Sequence, residues 1–187
     1  MPNELILKAI DAAGFDAATL TDDNGSWVLT MTRSLPRSVD QVWPWLTEPE
    51  RLAQWSPIVP NRSLISRGAA QTRENPGDDW VDAEVLEVDP PHELIHRWGD
   101  HSMRWTLTPA EEGCVLTLEQ RFAEAEAGPL MAGGWHVCLA VLTVNVEDHA
   151  VDRVVGEAAD EYDWQRLHDR YAEQWAPTTA DSSKGAS

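Results

Sequence analysis

SVDQVWPWLTEPERLAQW, residues 38–55, decides how this chain is read. Ser38 is a candidate N-cap, and Gln41 stands three residues on, the reciprocal spacing of a capping box. Val42, Trp45 and Leu46 then share one helical face, and Pro44 falls within the first two turns, where a proline costs least. Pro49 stands in the first turn of a second short helix, ERLAQW. Just upstream, SWVLTMTRSL (26–35) alternates Trp27, Leu29 and Met31 against Val28, Thr30 and Thr32, the pattern of a strand with one buried face. A strand therefore runs directly into two short helices.

Working outward, residues 3–14 place Leu5, Ile6, Ala9, Ile10 and Ala13 on one helical stripe, with Gly14 as a stop. Asp22, Asp23, Asn24 and Gly25 form a turn signal. Residues 61–76 read as a polar loop with one short strand. Four strands follow at 80–88, 93–98, 102–108 and 114–122, broken at Pro90-Pro91, Gly99-Asp100 and Glu111-Glu112-Gly113 like meander hairpins. After a loop at 124–129, the longest helix spans 130–149, with Gly133-Gly134 at its entry. Trp135, Cys138, Leu139, Leu142 and Val146 make an apolar stripe along it. A last helix at 157–175 carries Tyr162, Trp164, Leu167, Tyr171 and Trp175. The order is helix, strand, two short helices, strands, long helix, end helix, which is α+β.

Composition narrows the partners. The chain has 187 residues, 42% hydrophobic, enough for one domain with a real core. Its formal net charge of -18 repels phosphate backbones and anionic lipid heads, so neither nucleic acid nor membrane is an expected partner. Cys114 and Cys138 form no C-x-x-C motif and read as free thiols of a cytoplasmic protein. No secretory h-region is seen, and no apolar run approaches eighteen residues. Ten tryptophans against two Phe and two Tyr suit a semi-polar cavity as well as a core.

The set RSLPRSVDQVWPWLTEPERLAQW, VLEVDPPHELIHRW, MRWTLTP, CVLTLEQRF and GGWHVCLAVL resembles the START-like (SRPBCC) superfamily. Within it, the chain is most similar to bacterial proteins related to the C-terminal domain of heat-shock ATPase activators. The resemblance implies a helix-grip fold, in which a curved antiparallel sheet wraps a long C-terminal helix and two short helices close one end. The resemblance covers the helix-grip domain (25–150); helical spacing makes 1–24 an N-terminal helical extension and 151–176 a C-terminal helical extension, and the composition of 177–187 reads as a disordered tail. The resemblance also implies a hydrophobic cavity between sheet and helix. Relatives bind lipids, sterols, polyketides or hormones, and some cyclise or dehydrate polyketides.

The residues expected to line that cavity are Trp55, Trp80, Trp98, Met103, Trp105, Leu118, Phe122, Trp135 and Leu139. Each also suits plain core packing. His96 and Gln120 fall in phase with inward residues and need hydrogen-bond partners there. His136, about a hundred degrees from the stripe, is expected to flank the cavity mouth, where an imidazole can serve as a general base. Relatives often carry a histidine near the position of Gln120, which weakens an acid–base role there. The remaining histidines show no metal-ligand spacing, and no phosphate or dinucleotide motif occurs, so no metal or cofactor is expected. The expected function is binding of a small apolar or aromatic ligand without catalysis. One alternative is a polyketide-cyclase-like enzyme using a cavity His or Gln and water. Another is a co-chaperone-like protein-interaction module. The terminal aromatic helix packs on its own domain or joins a homodimer.

Overall fold

The computed structural model describes residues 1–177; the expected tail lies, from residue 178 on, outside the described residues. Helix α1 (Glu4–Ala12) is capped by the Asn3 side chain, which accepts from the Leu5 N–H. Strands β1 (Ala18–Asp23) and β2 (Ser26–Leu35) form a hairpin across Asn24 and Gly25, both at positive φ. Residues 18–23 therefore add an edge strand to the main sheet instead of completing a helical extension. The Asn-Gly turn supplies the reason, since it returns the chain antiparallel onto β2.

The expected capping box is present. Ser38 opens α2 (Val39–Thr47), its side chain accepts from the Gln41 N–H, and the Gln41 side chain returns to Ser38. Helix α3 (Pro49–Leu52) begins on Pro49. Two sheets follow. Short strands β3 (Val59–Pro60), β4 (Gln71–Arg73) and β5 (Val81–Asp82) form the smaller one. Strands β6 (Val85–Asp89), β7 (Glu93–Trp98), β8 (His101–Ala110) and β9 (Gly113–Phe122) join β1 and β2 in an antiparallel sheet of order β1-β2-β9-β8-β7-β6.

The single strand expected at 80–88 is thus two. Val81–Asp82 pairs with β4, whereas Val85–Asp89 pairs with β7, so the chain crosses between sheets at Ala83-Glu84. Asp82 stabilises that crossing by accepting the Glu84 N–H at 2.9 Å.

Helix α4 (Ala127–Val146) lies across the main sheet. It starts three residues before the expected position, so Gly133-Gly134 sit inside it and not at its entry. Arg37 caps its far end, donating to the Val146 carbonyl at 2.9 Å and pairing with Asp148, a cation where the helix dipole is negative. Instead of one apolar stripe, α4 is buried on nearly every side from Trp135 to Val146. The sheet covers one face; α1 and the C-terminal helix α5 (Trp164–Gln174) cover the other. It is also long and apolar enough to cross a membrane (mean hydropathy 1.5), contrary to the sequence expectation, but 67% of that stretch is buried inside the fold. The expected end helix is broken in two. A 3-10 segment (Gly156–Tyr162) ends at Asp163, whose φ of 57° closes it before α5 begins.

Candidate functional site

Between the sheet and α4, four indoles meet. The Trp135 ring lies 5.4 Å from Trp105, 5.7 Å from Trp98 and 6.4 Å from Trp55, and Trp55 meets Trp105 edge-on at 5.9 Å. Such edge-to-face contacts fill space with favourable quadrupole geometry. These rings pack against one another between the sheet and α4. Trp55, Met103, Trp105, Leu118, Phe122 and Leu139 are core residues, none more than 4% exposed. Trp80 is at the surface, 41% exposed, with the Arg73 guanidinium 4.4 Å above its ring.

A pocket of about 430 Å³ opens beside the first half of α4. Leu130, Met131, Gly134, Trp135, Val137 and Cys138 form one wall; the strap from Val154 to Asp160 and Trp164 form the other. Trp98, Pro57 and Glu74 complete it from the sheet side. Of the nine expected lining residues, Trp98 and Trp135 reach it. Trp164, Met131, Cys138 and Glu74 were not expected there. Trp164 was legible as an aromatic residue needing cover, but its place depends on the break at Asp163. Arg153 fixes the strap by donating to the Ser56 carbonyl at 3.1 Å, the Glu74 carbonyl at 2.6 Å and Asn75 Oδ1 at 3.2 Å.

The charged lining residues are Glu74, Glu157 and Asp160. Burial holds the Glu74 carboxyl above its usual range, against the pull of Arg153. Burial also pushes the Cys138 thiol up to about 12, which leaves it protonated and unreactive near neutral pH.

The three acid–base candidates are locked. His96 donates from Nδ1 to the Arg97 carbonyl at 2.8 Å and accepts from Trp105 Nε1 at 3.0 Å. Burial pushes its pKa down to about 4, so it is a neutral support for Trp105. Gln120 Oε1 accepts from Trp135 Nε1 at 2.7 Å, and its Nε2 meets His101 Nδ1 at 2.7 Å and Met131 Sδ at 3.5 Å. It orients the pocket's Trp135. His136, expected at a cavity mouth, is fully buried on the opposite face of α4. It bridges three elements, with Nδ1 2.8 Å from the Tyr171 hydroxyl and Nε2 donating to the Ile10 carbonyl at 3.0 Å. The docking of α1 and α5 causes that correction. Among the described residues no group of His, Cys, Asp or Glu converges as a metal site.

A family model described as activator of Hsp90 ATPase homolog 1-like protein matches residues 36–147. A conserved protein of unknown function from Enterococcus faecalis superposes with a TM-score of 0.67 at 16% identity, covering 92% of this chain and 95% of that one. CalU16 from Micromonospora echinospora gives 0.61 at 18% identity, over 84% of this chain and 94% of that one. DynU16, a protein in the dynemicin biosynthetic locus, gives 0.59 at 26% identity, over 71% of this chain and 51% of that one. No curated protein matches the chain.

Proposed function

The chain belongs to the activator of Hsp90 ATPase homolog 1-like family, a START-like helix-grip group, and from its pocket we propose that it binds a small amphipathic molecule. The bound molecule lies between α4 and the C-terminal strap, its apolar or aromatic body against Trp98, Trp135 and Trp164. The observation that carries this reading is a cavity of about 430 Å³ walled by three indoles, whose charged lining residues are all carboxylates. Indole faces and carboxylates both attract cations, so the preferred head group is an amine. The histidines that a cyclase-type reaction would recruit are engaged elsewhere, which favours binding over turnover. The buried free thiols of Cys114 and Cys138 support a reducing, cytoplasmic setting.

Gly134 lines this pocket, and nothing lies within 4 Å of where its Cβ would be. Gly134→Phe therefore fills the pocket without a backbone clash. Indole fluorescence titrated with decylamine should show saturable binding to the native protein and at least a tenfold loss in Gly134→Phe. Decanoate should bind at least tenfold more weakly than decylamine. Undiminished decylamine affinity in a folded Gly134→Phe variant would remove the pocket from this role.

A further inference from the structure

Behind the pocket wall three side chains form a hydrogen-bonded chain around one amide. Trp135 Nε1 donates to Gln120 Oε1 at 2.7 Å, and Gln120 Nε2 lies 2.7 Å from His101 Nδ1. An indole N–H only donates, so the amide oxygen must face Trp135. The amide nitrogen, which also only donates, then faces His101. His101 Nδ1 is therefore the acceptor, and the ring is neutral with its proton on Nε2. A protonated His101 carries donors on both nitrogens and meets the amide N–H donor to donor. Turning the amide over relieves that clash, but it takes Oε1 away from Trp135. Gln120 and Trp135 are 0% and 2% exposed, so the indole N–H is then buried without its acceptor, which is unfavourable.

His101 opens β8 and is half-buried there, between the rings of Trp98 at 6.1 Å and Phe122 at 5.8 Å. Burial lowers its pKa from the ordinary 6.5, against the pull of Asp100 in the preceding turn. Neighbouring charges on the strands beside it alternate to the outer face of the sheet. There Arg97 pairs with Asp82 and Glu84, Glu119 with Arg104, and Arg121 with Asp23. Helix α4 carries no charged side chain, and its His136 is engaged on the opposite face. We propose that His101, acting through Gln120, positions Trp135 and makes the strap pocket sensitive to pH. Neutral His101 leaves the amide oxygen on Trp135; protonated His101 takes that oxygen, and the indole wall loses its anchor. Only the consequence for ligand affinity rests on the binding role proposed above.

The indole N–H resonance of Trp135, followed by NMR without ligand from pH 8 to pH 4.5, tests this. In the native protein it should move upfield, as a proton does on losing its acceptor, at the pH where the His101 ring titrates. In His101→Phe, which keeps an aromatic ring between Trp98 and Phe122 but takes no proton, it should stay where it is at pH 8. An indole signal that stays fixed in the native protein, or that moves equally in both, would overturn the proposal. Over the same range decylamine affinity should fall at least about twofold more in the native protein than in His101→Phe. Equal falls would also overturn it, since the carboxylates of the pocket titrate in both proteins. Absence of decylamine binding at pH 8 would instead remove the proposed ligand, and the indole signal alone would then decide the role of His101.

Discussion

Trp135 is oriented at one atom, its Nε1, by Gln120 Oε1 at 2.7 Å. Gln120 is fully buried, and a buried donor that loses its acceptor costs about 1–3 kcal/mol. Gln120→Leu should lower unfolding free energy by about that amount in a urea titration. A change below about 0.5 kcal/mol would mean that the amide is dispensable to the indole. That Gln120 and His96 point inward was legible in the sequence, because each stands in phase with apolar residues of its own strand. Their partners were not legible, since Trp135 and Met131 arrive from a helix and His101 from the neighbouring strand. His136 shows the same limit more strongly. Its offset from the stripe was read correctly, yet what lies on that side depends on α1 and α5, far away in the chain.

At the scale of elements, two adjacent glycines of α4 do opposite work. A Cβ on Gly133 would come within 3.2 Å of Trp164 Nε1 and 3.4 Å of the His168 nitrogen, whereas one on Gly134 meets nothing within 4 Å. Gly133 therefore permits the close approach of α5. Gly133→Leu should cost about 1–3 kcal/mol by prying the two helices apart, even though leaving glycine improves helix propensity. Gly134→Ala should instead gain about 0.5–1 kcal/mol. Chemical denaturation of the pair separates the effects, and equal responses would mean that α5 is not closely docked. The sequence placed the pair in the right helix but at its entry, because small residues near a loop of Glu, Ala and Pro carry no local mark of a helix start. The capping box of α2 was readable because both of its partners lie within four residues.

For the molecule as a whole, two neutral imidazoles tie separate layers together. His96 supports the sheet-side indoles, and His136 joins α4 to α1 and α5. Burial lowers both pKa values from 6.5 to about 4. Because the folded pKa is depressed, the unfolded chain binds more protons between those values. Stability is therefore full above pH 6.5 and falls as pH drops from 6.5 towards 4. The loss should be of order 3 kcal/mol per histidine. Urea midpoints measured from pH 8 to pH 4 should be flat at first and then decline. Unchanged midpoints down to pH 4.5 would mean that water reaches these rings.

By itself the sequence determined what is local. Period-two alternation set the inward faces of β2, β8 and β9, and the 3.6-residue period set the helices. Caps and turn residues set several of the boundaries, and the ordered set of motifs carried the fold class. Only the tertiary structure decided where the open space lies. Trp55, Trp105 and Trp135 are distant in the chain, and their rings meet between sheet and helix. The pocket at the strap is bounded by segments equally far apart in the chain. Which faces of α4 are covered and whether Trp80 is inside were decided the same way. Packing depends on volumes and charges contributed by segments far apart in sequence, and no local pattern records their sum.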